Sequence, residues 1–507
     1  MNPNSIEEPS RNEQTEPVIS ERQSADWDIQ NAPKNYISLI LAQVGTAFFS
    51  FASVWLITTT IGAEGYGEIV ALIAASYLIL ILLNWSSFAL PRFGVEEFVQ
   101  TGKITKTFWT RSSILLPNLL LLLAGAVFFL KPLGELLEIP DSALWLIAFH
   151  FFSSAIWIHF QYSLQGVKLH RLQGTLVAFE RGLTFVGLLI LIAAGKISFD
   201  YFVWCYILPP LILSVAGWII LRPFIEMKNF FDGEWFRKMM IFSLPLIPFS
   251  LVGYFLTSQL DAVFITQFLS KTDLGIYSVA TQINGMSLQL PILANSLILS
   301  LFVSLNSMGQ SKSVYNYIKN ALPVISLGWG VFCVVLAIVA GLFIPFVFGI
   351  EFREAREPLF ILLLSSAFYA PAIFGYSSLS QSLSATYIAM ISSILGAVIN
   401  VTLNFWLIPR FGLFGCAVAT LFSVSVSCLA IVGLCQRHFR FPLRNLTVSL
   451  IPVCFAIIGI LIFGKIYIAA FFYLIGLIFS SIFLRGAIKE FCQKIIKNHI
   501  SRRVVTN

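Results

Sequence analysis

The chain has 507 residues and a net charge of +7; 57% of it is hydrophobic, only 11% is charged, and the mean hydropathy is +0.84. Soluble proteins carry roughly 25% charged residues, so a soluble multidomain enzyme is excluded. Apolar runs long enough to cross a bilayer recur from residue 36 to residue 484, which makes this an all-α polytopic membrane protein. The shorter runs of alternating polarity that mark a transmembrane β-barrel are absent.

In chain order, residues 1–35 are polar, with seven acids, and read as a disordered cytoplasmic tail. The first apolar run starts too late and runs too long for a cleavable signal peptide. Fourteen spans follow, at 36–60, 67–90, 110–130, 143–166, 175–195, 200–221, 241–268, 275–304, 321–348, 359–381, 385–408, 413–434, 446–464 and 466–484. Merging spans at the short turns near 385 or 465 would give thirteen. Lysine and arginine test the count, because they concentrate on the cytoplasmic side. Alternate segments beginning with the N-terminal tail hold 24 of them, Arg111 included, and the intervening loops hold 7. The one cation left within a span is Arg181. Both termini are therefore placed in the cytoplasm. The net charge reflects this topology and is no sign of nucleic-acid binding. The organisation is an N-lobe at 36–221 (helices 1–6), a cytoplasmic linker at 222–240, a C-lobe at 241–434 (helices 7–12), a helix pair at 446–484 and a basic cytoplasmic tail at 485–507.

Little in the chain points to catalysis. The seven cysteines form no CxxC, and His150 and His159, nine residues apart on one helix, point to nearly opposite faces. No metal site, cofactor or catalytic residue is expected. There is no P-loop, no G-x-S-x-G and no HExxH. The longest loops, 91–109 and 222–240, are cytoplasmic and short, and the largest outer loop is the ten residues "GIEFREAREP" at 349–358. Without a nucleotide site, the chain is not a self-contained primary pump.

An internal repeat is visible. "YGEIVALIAAS" at 66–76 aligns with "LGIYSVATQIN" at 274–284, placing Gly67 over Gly275 at an offset of 208. A second echo, "YSLQGVKLHRLQG" and "YSSLSQSLSATYI", recurs about 216 residues apart. Six spans separate the copies, so both have the same orientation and the two bundles form a parallel repeat.

At "LDAVFITQFLSKTDLGIYSVATQ" the chain resembles the Wzx-type polysaccharide flippases of the MOP exporter superfamily. The acidic residue of helix 7 is Asp261, and the Gly-x-Tyr-Ser-x-Ala opening of helix 8 is Gly275, Tyr277, Ser278 and Ala280. "NVTLNFWLIPRFGLFGCAVATLFS" at 400–423 matches the family's Asn-rich helix and Pro-Arg-aromatic-Gly turn. The resemblance implies about 14 transmembrane helices, two pseudo-symmetric six-helix lobes plus a C-terminal helix pair, and a central cavity. It also implies a substrate, a lipid-linked oligosaccharide on an undecaprenyl-diphosphate carrier, turned from the inner to the outer leaflet of the bacterial cytoplasmic membrane. Besides membrane lipids, the implied partners are a polysaccharide polymerase and chain-length machinery. A peptidoglycan-precursor flippase and a drug exporter are the alternatives within transport. A membrane polymerase or ligase acting on lipid-linked sugars is the alternative from another class.

An anionic sugar head needs cations and amides along its path. Arg181, Gln165, Gln282, Asn284 and Asn404 are the candidates for that path. Each amide reads equally well as glue between helices. Arg181, six residues into its expected span and so roughly 9 Å of helix rise from the cytoplasmic end, stands open to three readings: snorkelling, phosphate binding or an ion pair. Its neighbour Glu180 points about 100° away and is not its simple partner. Asp261, in an apolar run with no cation within a turn, is the ion-coupling candidate for a proton or sodium; a buried structural bond and a cap on the polar path are the rival readings. At offset 208 its counterpart is Ser53.

Overall fold

The computed structural model describes residues 16–227, 231–244, 258–307, 310–383, 385–438, 440–490 and 493. Among these the regular structure is helical throughout. The N-lobe is built from α1 (Glu16–Asn84), α2 (Ala89–Thr101), α3 (Thr105–Leu136), α4 (Leu144–Gly166), α5 (His170–Ala193) and α6 (Phe199–Leu221). A short helix, α7 (Gly233–Ser243), leads to the C-lobe: α8 (Ser258–Phe268), α9 (Lys271–Ser307), α10 (Ser311–Asn316), α11 (Leu322–Val347), α12 (Arg356–Phe368), α13 (Ser377–Ser382) and α14 (Thr386–His438). The pair α15 (Arg444–Phe463) and α16 (Ile466–Phe483) packs against α11.

Eleven of these stretches are long and apolar enough to cross a membrane. Two of them, Ile40–Asn84 and Tyr387–Arg437, are 45 and 51 residues long, about twice what a bilayer needs at 1.5 Å per residue. Each is broken at a glycine, Gly62 (φ 71°) and Gly412 (φ 57°), in backbone that other residues adopt only under strain. Each therefore makes two crossings. Of the expected seventh span, 241–268, residues 245–257 lie outside the described residues.

The boundaries correct the sequence reading in four places. Helix α1 runs back to Glu16, so residues 16–35, expected as disordered tail, continue the first helix; propagation from an established helix adds one bond per residue. Most of the basic tail lies outside the described residues. Both longer loops, 91–109 and 222–240, hold helices, α2 and α7. Glu97 of α2 caps α3, its carboxylate accepting from the backbone N–H groups of Lys106 and Thr107 at 2.8 Å each. Trp235 of α7 donates to the Thr107 hydroxyl at 3.0 Å, which ties the linker helix to the N-lobe. Asp232 caps α7 and pairs with Lys106, whose hydrogen bond and charge hold the Asp232 carboxyl below its usual range. Arg111, grouped by sequence with an inner loop, is fully buried on α3, where it donates to the Leu83 carbonyl at the end of α1 (2.7 Å) and to Ser87 (3.1 Å). The negative end of the α1 dipole compensates part of its charge.

The lobes meet at the glycines that the repeat aligns. A Cβ on Gly67 would stand 1.8 Å from the Lys271 carbonyl oxygen, and one on Gly275 would stand 2.0 Å from that of Ala63. The two contacts are equivalent, one from each lobe, since Gly67 and Gly275, like Ala63 and Lys271, lie 208 residues apart. Lipid offers no hydrophobic drive between helices, so such close backbone approach at small residues is what holds them. Around the crossing, Lys271 pairs with Glu68 at 3.1 Å, Gln267 donates to the Leu136 carbonyl, and the Phe51 and Phe348 rings lie 5.4 Å apart. We refer to this end of the bundle as the corner end.

Candidate functional site

Next to the glycine crossing lies a cavity of about 240 Å³ lined from both lobes. The N-lobe supplies Ser50, Ser53, Tyr66 and Tyr77 from α1, Arg181 and Thr184 from α5, and Tyr206 from α6; the C-lobe supplies Gln259 from α8 and Tyr277, Ser278, Thr281 and Gln282 from α9. Arg181 is the one charged residue in this lining. It is the twelfth residue of α5, which has 24. Its height above the helix start is therefore about 16 Å, not 9. The sequence placed the helix start too late because "HRLQG" looks like a loop. At mid-membrane depth the guanidinium is beyond an easy snorkelling reach.

Glu180, the adjacent residue on the helix, acts on its charge but makes no ion pair with it. Glu180 turns away and accepts from Trp157 Nε1 at 2.6 Å. Among the described residues no carboxylate lies within ion-pair distance of Arg181; the Tyr77 hydroxyl lies against it instead. A single cation ringed by four tyrosines and several hydroxyls and amides can grip an anionic group and offer hydrogen bonds to polyols around it.

Asp261 is not in the lining. It is 4% exposed and held from three helices. Oδ1 accepts from Asn404 Nδ2 at 3.1 Å; Oδ2 accepts from the Tyr277 hydroxyl at 3.0 Å and from Thr420 at 3.3 Å. Asn404 Nδ2 also reaches Asn400 Oδ1 at 3.1 Å, while Asn404 Oδ1 is buried with no donor among the described residues. Tyr277 thus has one side on the cavity and its hydroxyl on the carboxylate. The counterpart serine, Ser53, spends its hydroxyl on the Phe49 carbonyl of its own helix at 2.8 Å.

Of the candidates read from sequence, Arg181 and Gln282 come together in the cavity. Asn404 stands with Asp261. Asn284 accepts from Ser366 at 2.8 Å inside the C-lobe, the gluing role open to any lone amide. Gln165 sits at the far end of α4 and is not among the lining residues. Sequence reasoning passed over Tyr66, Tyr77 and Tyr206, and met Tyr277 only as part of the helix-opening motif, because a tyrosine in an apolar run reads as core. His150 and His159 go to separate partners, Ser76 (2.6 Å) and Ser112 (3.2 Å). Among the described residues no three His, Cys, Asp or Glu side chains gather as a metal site.

Paired lobes of helices long and apolar enough to cross a membrane, meeting at equivalent glycines beside a polar cavity, define a multi-pass membrane protein. Solved structures share this fold: a lipid II flippase MurJ in an inward closed conformation (15% identity, TM-score 0.65, covering 90% of this chain and 99% of that one), a multidrug resistance MATE family transporter of the MOP superfamily (14%, 0.57, 80% and 98%), and a variant of the MATE transporter VcmN from Vibrio cholerae (14%, 0.54, 82% and 98%). No curated protein sequence matches the chain. Residues 32–298 match the polysaccharide biosynthesis protein family, and the chain belongs to that family.

Proposed function

We propose that this protein flips a lipid-linked oligosaccharide, carried on undecaprenyl diphosphate, from the inner to the outer leaflet of the bacterial cytoplasmic membrane by alternating access. The observation that carries the reading is Arg181, a cation halfway along α5 with no ion pair among the described residues, in a polar cavity shared by both lobes. A diphosphate head cannot cross about 30 Å of hydrocarbon without such a partner, whereas its polyprenyl tail can stay in lipid. In this reading Arg181 holds the phosphate, and Gln282 with the tyrosines and hydroxyls bonds the sugar. Gln165, Asn284 and Asn404 support the helices that frame the path. The charge asymmetry puts both termini in the cytoplasm and the corner end outside. A polymerase and chain-length machinery on that side would receive the product.

Asp261 is the coupling group in this proposal. A buried carboxylate beside a donorless amide oxygen supports a small cation such as sodium, with a proton as the alternative ion.

The test is a leaflet-accessibility assay with purified protein in liposomes. One arm carries an undecaprenyl-diphosphate oligosaccharide and another a peptidoglycan precursor. Movement of the oligosaccharide is expected. Movement of the precursor alone would replace the substrate, a lengthened glycan without movement would favour the polymerase or ligase reading, and no change in either arm would overturn the proposal.

A further inference from the structure

The two corners of the repeat are capped differently. At the C-lobe corner, α9 supplies its own cap. Ser270 donates to Asp273 Oδ2 through its backbone N–H (3.1 Å) and its hydroxyl (2.6 Å), and the Asp273 N–H returns to Ser270 Oγ (3.1 Å). At offset 208 the N-lobe corner has Gly62 in place of Ser270 and Gly65 in place of Asp273. Neither glycine has a side chain to give. The second half of α1, restarting after the break at Gly62, therefore begins without a local cap.

Its cap comes from the other lobe. The N–H of Ala63 donates to Glu351 Oε1 at 3.0 Å. Glu351 belongs to the short 3-10 turn Ile350–Ala355 that joins α11 to α12. This turn is the heart of the outer segment "GIEFREAREP", the largest outer loop, for which the proposed transport cycle gives no other use. A carboxylate at a helix N-terminus meets both an orphan N–H and the positive end of the dipole. The contact exists only while the lobes touch, and it sits beside the Gly67–Gly275 crossing and the Lys271–Glu68 pair.

We propose that Glu351 is an inter-lobe helix cap, a positioning residue that holds the corner end closed and is released when the lobes part there. The closed state then owes part of its population to one side chain in the C-lobe. The equivalent corner, self-capped by Ser270 and Asp273, loses no cap on opening. The inference requires neither a substrate nor a coupling ion, so it stands or falls separately from the flippase reading.

The test is a distance measurement on the full chain in lipid nanodiscs. Spin labels on unnatural amino acids at Lys131 in the N-lobe and Glu354 in the C-lobe report the corner end by pulsed electron resonance, without substrate or ion gradient. Glu351→Ala is expected to raise the ratio of long to short distances by about fivefold, the effect of losing one good cap. Glu351→Gln, which keeps an acceptor oxygen without the charge, is expected to give a smaller rise. Ser270→Ala weakens a local cap only and should leave the distances as they are. Superposable distributions for Glu351→Ala and the parent chain would overturn the proposal, as would equal opening by Ser270→Ala. Should Glu351→Ala fail to fold, Glu351→Gln decides: a rise supports the cap, and no rise rejects it.

Discussion

Arg181 and Asp261 are the charges that face or flank the central cavity, and they are set in opposite ways. The N-lobe presents its cation to the cavity with no ion pair to it among the described residues, its neighbour Glu180 being spent on Trp157. The C-lobe hides its acid behind Tyr277, with three side-chain donors and almost no exposure. Neither has a charged counterpart in the other copy of the repeat. Ser53 stands where Asp261 would be, and Ala389 or Ala397, at offsets of 208 and 216, stands where Arg181 would be. A symmetric scaffold thus carries asymmetric chemistry. An open cation suits a ligand that comes and goes; an enclosed acid suits a small ion. The difference assigns binding to the N-lobe and coupling to the C-lobe within the proposed function.

Removing the cation tests that division most strongly. Arg181→Ala should reduce glycan export by more than tenfold at unchanged protein level, since a hydrogen bond to a charged group contributes about 1.5–3 kcal/mol and a guanidinium makes more than one. Arg181→Lys should retain part of the activity, holding phosphate as a point charge without the planar fork. Full export by Arg181→Ala would return this residue to a structural role and erase the contrast between the lobes.

Neutralising the acid should have a different signature. Asp261→Asn keeps the side-chain volume and an acceptor oxygen, so the protein should assemble. Flipping should then persist but lose its response to an imposed proton or sodium gradient. A variant that answers both gradients like the parent chain would remove the coupling role. A variant that fails to reach the membrane would instead make Asp261 a structural bond.

Much of this contrast was legible in the sequence, and the part that was not has physical causes. The alignment of Gly67 with Gly275 was readable in the repeat, though not the crossing, where close backbone contact leaves only one residue type at both positions. Asp261 stood out in the sequence as an acid within an apolar run. Its partners were hidden by distance along the chain: Tyr277 is 16 residues away, Asn404 is 143 and Thr420 is 159. Arg181 was placed too shallow because α5 begins in the polar stretch "HRLQG", which hydropathy assigns to a loop. Helix starts in membrane proteins extend into polar flanks, where backbone bonding continues after the apolar run has ended. Tyr66, Tyr77 and Tyr206 were missed because a phenol carries both an apolar ring and a polar tip, and only the fold decides which one faces water.

The smallest expected effect separates the two coupling ions. Thr420 is the most distant donor to Asp261 Oδ2, at 3.3 Å against 3.0 Å for Tyr277, and a hydroxyl bond of that length is already weak. If the coupling ion is a proton, Thr420→Val deletes only this stretched bond. Tyr277 and Asn404 still serve the carboxylate, and the half-saturating gradient should shift by less than about fivefold, the equivalent of roughly 1 kcal/mol. Tyr277→Phe should shift it further, because it leaves Oδ2 with the weaker donor alone. If the ion is sodium, the Thr420 hydroxyl is one of the few oxygens beside Asp261, together with those of Asn400 and Asn404, and hard cations take oxygen ligands. The valine variant should then lose sodium dependence while its response to protons stays as in the parent. Measuring flipping against graded sodium and graded pH in the same liposomes reads both outcomes. An equal, large loss in both series would show that Thr420 holds the fold around Asp261 and does not serve the ion.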